Sequence, residues 1–513
     1  MPRSQSGRIE HVVVLMLENR SFDNLLGWLY DPANPAPFDQ APPANFEGVY
    51  GKDLSNPTAG GQSIRVGKGT DVTAPFPDPG EPFQDVYAQI YGQKNTVALN
   101  EVTSQPPRSC NMQGFVYNYE LKNSGNPGNA PIIMNCFTPA KVPVISSLAL
   151  YYGLCDHWFS SIPSQTLCNR SFMQAGTSSG CVNNDGSDGI LFINDTPTIF
   201  NVLSDAGKSW KVYCGGWTIT SLVLLTQRKV WDFALQPGHF EHIKDFLADA
   251  QKPGGLPTYS FIEPNYIDSV VHGPENDMHP ESHAFQLFGR SNLEQGEKLV
   301  YDIYTAIRNS PDWEKILFLI LFDEHGGCYD HVCPPTSAIP PDNVVIAPNQ
   351  PGGTSFKFDR LGVRVPAIVI SAYTPQGTIL NTTFDHTSAL ATVVNTFRLP
   401  AGRLGRRQAA ATDVSEALSL PTARTDRPPI LHPAAPEVTV VQRAEALGTT
   451  LLHAKSKPLS YLQKRILVGA AKRLGLSAQA QQEIASAETA VEADALLLKF
   501  EAQMSVKRAI KNL

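Results

Sequence analysis

Three continuous or nearly continuous apolar runs stand out along the chain. The first covers residues 9–17 and is rich in valine, the second covers residues 316–322, and the third covers residues 365–370. Runs of this length and composition are typical of strands that are buried on both faces of a parallel sheet. Polar residues and loop formers follow each run, so the pattern predicts a site at the carboxyl ends of the strands.

Helix-like segments lie between the apolar runs. Residues 144–154, 240–251 and 296–309 fit helices, and the last segment has an apolar stripe with helical spacing. The alternation of strands and helices predicts an α/β fold, namely a three-layer α/β/α sandwich with a mostly parallel central sheet.

Changes in composition divide the chain into three parts. Residues 1–400 carry the strand and helix pattern, and within them residues 30–108 are rich in Pro, Gly, Asn and Asp, as expected of an excursion that covers or lines a site. Residues 401–437 are an irregular connecting stretch, and residues 438–513 form a helical C-terminal appendage. We expect the appendage to pack on the first part of the chain, with docking on a membrane as the alternative.

Charge and apolar length exclude two classes of protein. A formal charge of -7 without a basic stripe argues against nucleic acid as a partner. The chain has no apolar run of about 18 residues, and its first apolar stretch is too short for a secretory signal. The expectation is a soluble protein, cytoplasmic unless it is exported without a cleaved signal, in which peripheral membrane contact and the oligomeric state stay open.

Eight cysteines are spread singly along the chain, with no C-x-x-C pair. This spacing argues against a zinc knuckle or a thioredoxin-like motif. An even count permits disulfides, but without an export signal we expect reduced, structural thiols.

Pairs of polar residues follow the first two apolar runs. Glu18 and Asn19 come after the first run, and Asp323 and Glu324 come after the second. Burying such groups unpaired is costly, and one divalent cation would explain both pairs. Oxygen ligands of this kind suit Mg²⁺, Ca²⁺ or Mn²⁺, or Zn²⁺ where carboxylates dominate. The alternative is that each pair caps the next helix or forms a salt bridge.

A threonine lies between a Pro-bearing turn and a predicted helix. Thr166 stands in the segment DHWFSSIPSQTLCNR, where a hydroxyl at a helix N-terminus can meet a phosphate beside backbone N–H groups. The alternative role of Thr166 is an ordinary N-cap.

Several segments together resemble a known family. HVVVLMLENRSFDNLLG, CDHWFSSIPSQTLCNRSFMQAGTSSG, LPTYSFIEP, LFDEHGGCYDHVCPP, FDRLGVRVPAIVIS and FDHTSALATV are similar, in this order, to motifs of the bacterial and plant non-specific phospholipase C family. That family includes acid phosphatases, and its core is similar to that of alkaline phosphatase. The resemblance runs from about residue 9 to about residue 397.

The resemblance implies a role for each candidate residue. It makes Thr166 the nucleophile, in contact with a metal that is held by Glu18, Asn19, Asp323 and Glu324. It implies a catalytic histidine in the segment ENDMHPESHAF, where one extra residue relative to the usual HPSH leaves the choice between His279 and His283 open. Weaker candidates for substrate binding are Asn56, His325 and His386.

One departure from the family pattern affects the phosphate site. Where the family usually reads Asp-Pro-Gly-His-x-Phe, residues 78–83 read DPGEPF, so Glu81 stands in the position of a phosphate-binding histidine. A carboxylate there repels an anion unless it is protonated or bound to metal. The resemblance implies a phospholipase C acting on glycerophospholipids through a phosphothreonine, with an acid phosphatase and a catalytically impaired phospho-ligand or lipid-binding protein as alternatives.

Overall fold

The protein is described from a computed structural model. The structure describes residues 5–92, 109–123, 127–185, 193–234, 236–280, 291–342, 356–428, 430, 448, 457–473 and 477–511. Statements about structure below refer to these residues.

Twelve strands and fifteen helices are present in the described residues. The strands are β1 (His11–Leu17), β2 (Ser55–Pro57), β3 (Ser63–Arg65), β4 (Gly67–Gly69), β5 (Asn135–Phe137), β6 (Gly153–Cys155), β7 (Trp210–Cys214), β8 (Phe240–His242), β9 (Tyr259–Glu263), β10 (Ile316–Phe322), β11 (Ala367–Ser371) and β12 (Thr378–Leu380). The helices are α1 (Phe22–Leu26), α2 (Phe83–Tyr91), α3 (Phe115–Lys122), α4 (Pro143–Tyr151), α5 (Thr166–Ala175), α6 (Ile199–Asp205), α7 (Leu222–Thr226), α8 (Trp231–Ala234), α9 (Ile243–Ala250), α10 (Asn292–Arg308), α11 (His386–Thr396), α12 (Gly405–Ala410), α13 (Tyr461–Arg473), α14 (Ala478–Ala485) and α15 (Ala490–Lys511).

An eight-stranded sheet forms the centre, in the order β12, β6, β11, β10, β1, β9, β7, β8. Every residue of β1 and of β10 is buried. Because successive side chains of a strand point to opposite faces, burial of all seven positions requires cover on both sides of the sheet. The predicted three-layer α/β/α sandwich with a mostly parallel sheet is therefore confirmed.

The direction of the third apolar run differs from the prediction. The strand β11 pairs antiparallel with both β10 and β6, whereas β1 pairs parallel with β10 and β9. The carboxyl end of β11 therefore lies at the opposite edge from that of β1. A continuous apolar run reports burial on two faces but carries no information on strand direction, so this part of the prediction was wrong.

Two of the three segments that were predicted to be helices each contain residues of a strand. In the segment 144–154 the helix α4 ends at Tyr151 and the last residues form β6, and in 240–251 the first three residues form β8 before α9 begins. The third helix, α10, extends four residues further at its N-terminus than predicted. Its start is fixed by a capping box, in which the side chains of Ser291 and Glu294 each bond the backbone N–H of the other.

The C-terminal helices pack on the rest of the chain. Residues of α13, α14 and α15 share a hydrophobic cluster with α5 and α7. No helix among the described residues is both long and apolar enough to cross a membrane. The expectation of reduced thiols was wrong at one pair, because Cys110 and Cys333 form a disulfide, while the other six cysteines are buried thiols.

Candidate active site

The first two strands bring their polar pairs together. The strands β1 and β10 pair in register, with Leu17 opposite Phe322, so Glu18 and Asp323 follow at the same level. The backbone N–H of Asn19 donates to Asp323 Oδ1 over 3.1 Å. Asn19 has a φ of 57°, a left-handed conformation that asparagine tolerates better than most residues.

A glycine lets the loop after β10 approach the loop after β1. Gly326 has a φ of 61°, and a Cβ at this position would lie 2.2 Å from the carbonyl oxygen of Asn19. Only glycine allows both the dihedral angle and this contact. The DEHGG segment therefore closes tightly over the residue that follows Glu18.

Arg170 is a buried cation between the two strand ends. Its Nε donates to Asp323 Oδ2 over 2.9 Å, and its Nη2 donates to the carbonyl oxygens of Met16 and Leu17. The same Nη2 lies 3.3 Å from Glu18 Oε1. Arg170 thus offsets part of the negative charge, in the way that the alternative of a salt bridge anticipated.

Two carboxylate oxygens in this cluster keep no hydrogen bond. Glu18 Oε1 and Glu324 Oε1 are buried and accept none from the described residues, although Glu324 Oε2 accepts from the backbone N–H of Gly326. Burial raises the pKa of Glu18 well above its usual value, against the lowering effect of Arg170. Burial and the Asp323 carboxylate raise the pKa of Glu324 in the same way.

These two oxygens without a hydrogen bond are suited to binding a cation. A buried polar atom without a partner costs about 1–3 kcal/mol, and more when it is charged. Hard divalent cations take oxygen ligands from carboxylates and amides, which is the donor set that Glu18, Asn19, Asp323 and Glu324 provide. The residues present therefore fit the divalent cation that the sequence predicts, without showing which one it is.

Thr166 lies beside the same cluster. It is the first residue of α5, and its hydroxyl donates to Asn19 Oδ1 over 3.3 Å. The N-cap of this helix is Gln165 rather than Thr166, so capping does not account for the threonine hydroxyl. Thr166 is buried and does not itself line the pocket described next, which Glu18 of this cluster and the neighbouring Gln165 do line.

A pocket of about 200 Å³ opens in front of these residues. Its lining includes Glu18, Gln165, residues 78–82 of the excursion, and residues of the segment that ends at Pro280. The expectation that the excursion lines a site holds for residues 78–82. Glu81 Oε1 accepts a hydrogen bond of 2.5 Å from Asn19 Nδ2, which ties the departure from the family pattern directly to a predicted metal ligand.

His279 also lines the pocket and faces Glu81. Its Nε2 lies 3.4 Å from Glu81 Oε1, while its Nδ1 lies 2.6 Å from the carbonyl oxygen of Pro280. Burial lowers the pKa of His279, but the Asp78 and Glu81 carboxylates outweigh burial and raise the pKa to about 9. Ligand atoms of Asp78, Glu81 and His279 all lie within 4.8 Å of one another, so these side chains are also close enough to hold a cation.

Two of the weaker candidates, Asn56 and His325, form hydrogen bonds within the fold and do not line the pocket. Asn56 bonds the carbonyl oxygen of Met112 and the N–H of Val116. His325 Nε2 pairs with Gln89, and burial lowers the pKa of His325 to about 3. These side chains do not line the pocket, and their contact with substrate stays a prediction.

His386 has both ring nitrogens engaged. Its Nε2 lies 2.6 Å from the backbone carbonyl oxygen of Asp323, and its Nδ1 accepts from Trp158 Nε1 over 3.3 Å. It therefore holds the backbone of a predicted metal ligand rather than a substrate. The remaining candidate, His283, lies outside the described residues.

The sequence interpretation gave no role to Arg170 or to Asp78. Arg170 stands four residues after Thr166, and residues four apart share one face of a helix, so this spacing could have placed it beside the nucleophile position. Asp78 lies in a stretch without periodicity, where no pattern predicts which side chain reaches the site.

Comparison with known proteins identifies the family. Residues 9–400 match the Phosphoesterase family. Non-specific phospholipase C3 of Arabidopsis thaliana is 33% identical over 438 residues, covering 83% of this chain and 76% of that protein. Phospholipase C B of Mycobacterium tuberculosis is 27% identical over 433 residues, covering 77% and 74%.

Likeness to solved structures is weaker. A protein in the alkaline phosphatase superfamily from Vibrio parahaemolyticus aligns with a TM-score of 0.31 and 10% identity, covering 52% of this chain and 63% of that chain. A TM-score this low does not establish a common fold, so the family rests on the sequence matches. The chain belongs to the Phosphoesterase family and is an enzyme of the phosphoric ester hydrolase class.

Proposed function

We propose that the chain is a phospholipase C that hydrolyses glycerophospholipids to diacylglycerol and a phosphorylated headgroup. The observation that carries this proposal is the convergence of Thr166 with the two polar pairs at the carboxyl ends of β1 and β10. The relatives named non-specific phospholipase C support the choice of substrate. In this proposal, residues 1–400 are the catalytic domain, residues 401–437 connect, and residues 438–513 are the helical appendage.

Four side chains at the strand ends would hold the cation. Glu18, Asn19, Asp323 and Glu324 provide its oxygen ligands, together with the hydroxyl of Thr166. Mg²⁺, Ca²⁺, Mn²⁺ and Zn²⁺ all remain candidates. A divalent cation bound there lowers the pKa of an adjacent hydroxyl and offsets the charge of a phosphoryl group.

Thr166 is the proposed nucleophile. Its hydroxyl releases its proton to solvent water, its oxygen attacks phosphorus, and the bond between phosphorus and the diacylglycerol oxygen breaks. The headgroup phosphate becomes esterified to Thr166. Water then hydrolyses this phosphothreonine and releases the phosphorylated headgroup. Arg170 keeps Asp323 oriented throughout, because its Nε bonds the Oδ2 atom and leaves Oδ1 towards Asn19.

His279 is the proposed proton donor to the leaving diacylglycerol oxygen. With a pKa of about 9 it carries a proton on both nitrogens at neutral pH. Nδ1–H donates to the carbonyl oxygen of Pro280, which leaves Nε2–H on the side of Glu81 as the mobile proton. The Glu81 carboxylate orients this proton, and its pairing with the His279 cation offsets its repulsion of a phosphate.

The test compares two substrates and two threonine variants. Protein stripped of metal is given each cation in turn, and release of diacylglycerol from phosphatidylcholine is compared with hydrolysis of p-nitrophenyl phosphate. Thr166→Ala should lower kcat by more than about a thousandfold, as expected for removal of a nucleophile. The matched control is Thr392→Ala, because Thr392 is also a buried helical threonine, but its hydroxyl donates to the carbonyl oxygen of Ser388 and accepts from the N–H of Val414.

Each result points to a different function. Cation-dependent release of diacylglycerol that is lost only in Thr166→Ala supports the proposal. A preference for the monoester indicates a phosphomonoesterase, and near-normal turnover by Thr166→Ala refutes the nucleophile. Absence of hydrolysis with every cation indicates a protein that binds a phosphorylated ligand without turning it over.

A further inference from the structure

The C-terminal appendage contributes to the pocket itself. Five residues at the start of α13 and just before it line the same pocket as Glu18 and His279, namely Ser460, Tyr461, Leu462, Gln463 and Ile466. We call residues 460–466 the pocket wall. The wall lies more than 400 positions after Glu18 in sequence and outside the part of the chain that matches the family.

Polar contacts fix the pocket wall to the loop between β9 and α10. Gln463 Nε2 donates to the carbonyl oxygen of Tyr266 and to Glu275 Oε2, each over 2.8 Å. Just before the wall, the buried Lys457 forms ion pairs with Glu275 over 2.5 Å and with Asp268 over 3.3 Å. Tyr266 and Glu275 line the pocket as well, so the wall is bonded to side chains that already shape the site.

Apolar packing joins the other side of the pocket wall to a cluster that also includes the helix beginning with Thr166. Ile466 and Leu467 are buried in the same cluster as Leu167, Cys168 and Phe172 of α5. Side chains that are locked by packing and by hydrogen bonds keep a pocket in one shape. The wall is therefore positioned rigidly relative to Thr166.

Tyr461 presents a restrained aromatic ring at the edge of the pocket. Its hydroxyl donates to the Asp185 carboxylate over 2.6 Å, and the guanidinium of Arg465 lies 4.8 Å from the centre of its ring. The side chain nevertheless remains 55% exposed. A ring held in place but still open to solvent is a contact surface for a ligand group, since its ordering has already taken place before binding.

We propose that the pocket wall determines specificity, by contacting the part of the substrate that lies beyond the phosphate. This inference rests on the proposed function and extends it to residues outside the family match. Tyr461 and Leu462 would contact the glycerol or headgroup portion of the ester, while the phosphate lies towards Glu18 and His279. Esters with little beyond the phosphate would not use the wall.

The test compares a large and a small diester. Tyr461→Ala and Leu462→Ala should each lower kcat/KM for dihexanoyl phosphatidylcholine about tenfold, and should change it less than about twofold for methyl p-nitrophenyl phosphate. Matched controls are Tyr50→Ala and Leu496→Ala, because Tyr50 is exposed like Tyr461, Leu496 is half-buried against the same apolar cluster as Leu462, and neither lines the pocket. Thermal unfolding of each variant verifies that the fold is retained.

Equilibrium titration measures the contribution of the pocket wall to binding independently of ester hydrolysis. Each variant, loaded with the cation that binds wild-type protein, is titrated with inorganic phosphate and with glycerophosphocholine. If the variants lose affinity for glycerophosphocholine but keep it for phosphate, the result supports the proposed role of the pocket wall in specificity. This holds even if no ester is hydrolysed, an outcome in which only the proposed function fails. Equal losses for both ligands and both esters, or no loss in either variant, would overturn the inference.

Discussion

Replacing Glu324 by glutamine tests the cation site through stability. The carboxylate is fully buried, its Oε1 accepts no hydrogen bond from the described residues, and the neighbouring Asp323 carries a like charge. Among the described residues, the basic side chain paired with it is His325 at 3.4 Å, which is uncharged at neutral pH because burial lowers the pKa of His325 to about 3. We therefore expect metal-free Glu324→Gln to be at least as stable as wild type, unlike most substitutions of buried charged groups.

In Glu324→Gln, the cation should raise the free energy of unfolding by less than it does in wild type. A ligand at a hundredfold excess over its Kd raises the free energy of unfolding by about 2.7 kcal/mol. If the lost ligand weakens cation binding by a hundredfold, the same concentration provides only about 0.4 kcal/mol. The difference of about 2.3 kcal/mol is well above the error of a urea titration of a two-state protein.

The assay is urea unfolding of both proteins, stripped of metal and then with each cation at one fixed concentration. Glu297→Gln is the matched control, since Glu297 is also a buried carboxylate with a raised pKa but lies between α10 and α4, where its oxygens accept from Val144 and Ile145. Its effect should be the same with and without cation. Equal stabilisation of wild type and Glu324→Gln by every cation would refute the assignment of Glu324 as a ligand.

Two further predictions concern protonation. His279→Gln should lower kcat for dihexanoyl phosphatidylcholine by about a hundredfold or more but leave methyl p-nitrophenyl phosphate much less affected, because nitrophenolate departs without a proton; equal losses for both esters would contradict a role as proton donor. Burial raises the pKa of Glu297 to about 8, against its two backbone N–H donors, so the folded protein holds a proton that the unfolded chain releases. The free energy of unfolding should therefore fall by up to about 1.4 kcal/mol per pH unit between pH 4.5, the ordinary pKa of a glutamate, and pH 8. Glu297→Gln should remove this slope in urea titrations at pH 5, 6.5 and 8. An unchanged slope would show that Glu297 is ionised in the folded state.

The strand ends were predictable because burial and register leave little freedom. A long apolar run is typical of a strand buried on both faces of a parallel sheet, and two parallel neighbours deliver the next residues to the same edge. The polar pairs that begin with Glu18 and Asp323 could therefore be placed together, although Asn19 and Asp323 are 304 positions apart in sequence. The identification of Thr166 depended on the family resemblance, since a threonine before a helix is more often a cap.

The rest of the site could not be predicted because it comes from segments without periodicity. Glu81 lies in a loop where only the resemblance gave it a position, and nothing in the sequence indicated its contact with Asn19 and His279. The pocket wall comes from an appendage whose amphipathic pattern predicts packing but not the surface on which it packs. Strand direction was equally hidden, as β11 shows.

A second buried cluster shows how a structural charge network differs from the proposed site. Asp23 follows β1 and Asp330 follows β10, and Arg364 bridges them over 2.9 Å and 3.0 Å. Every oxygen of this pair has a partner. The second oxygen of Asp23 accepts from His331, and the second oxygen of Asp330 accepts from the N–H of Asp23.

The cluster around Arg170 has the same plan but is left incomplete. It too has one buried arginine between acidic residues that follow β1 and β10, yet Glu18 and Glu324 each retain an oxygen without a hydrogen bond. Because the chain satisfies the first cluster fully with its own donors, the same fold could satisfy the second. Leaving Glu324 Oε1 open, and Glu18 Oε1 with only its ion pair to Arg170, costs stability, and a group that binds there regains it. This is the physical reason to locate the chemistry at Arg170 rather than at Arg364.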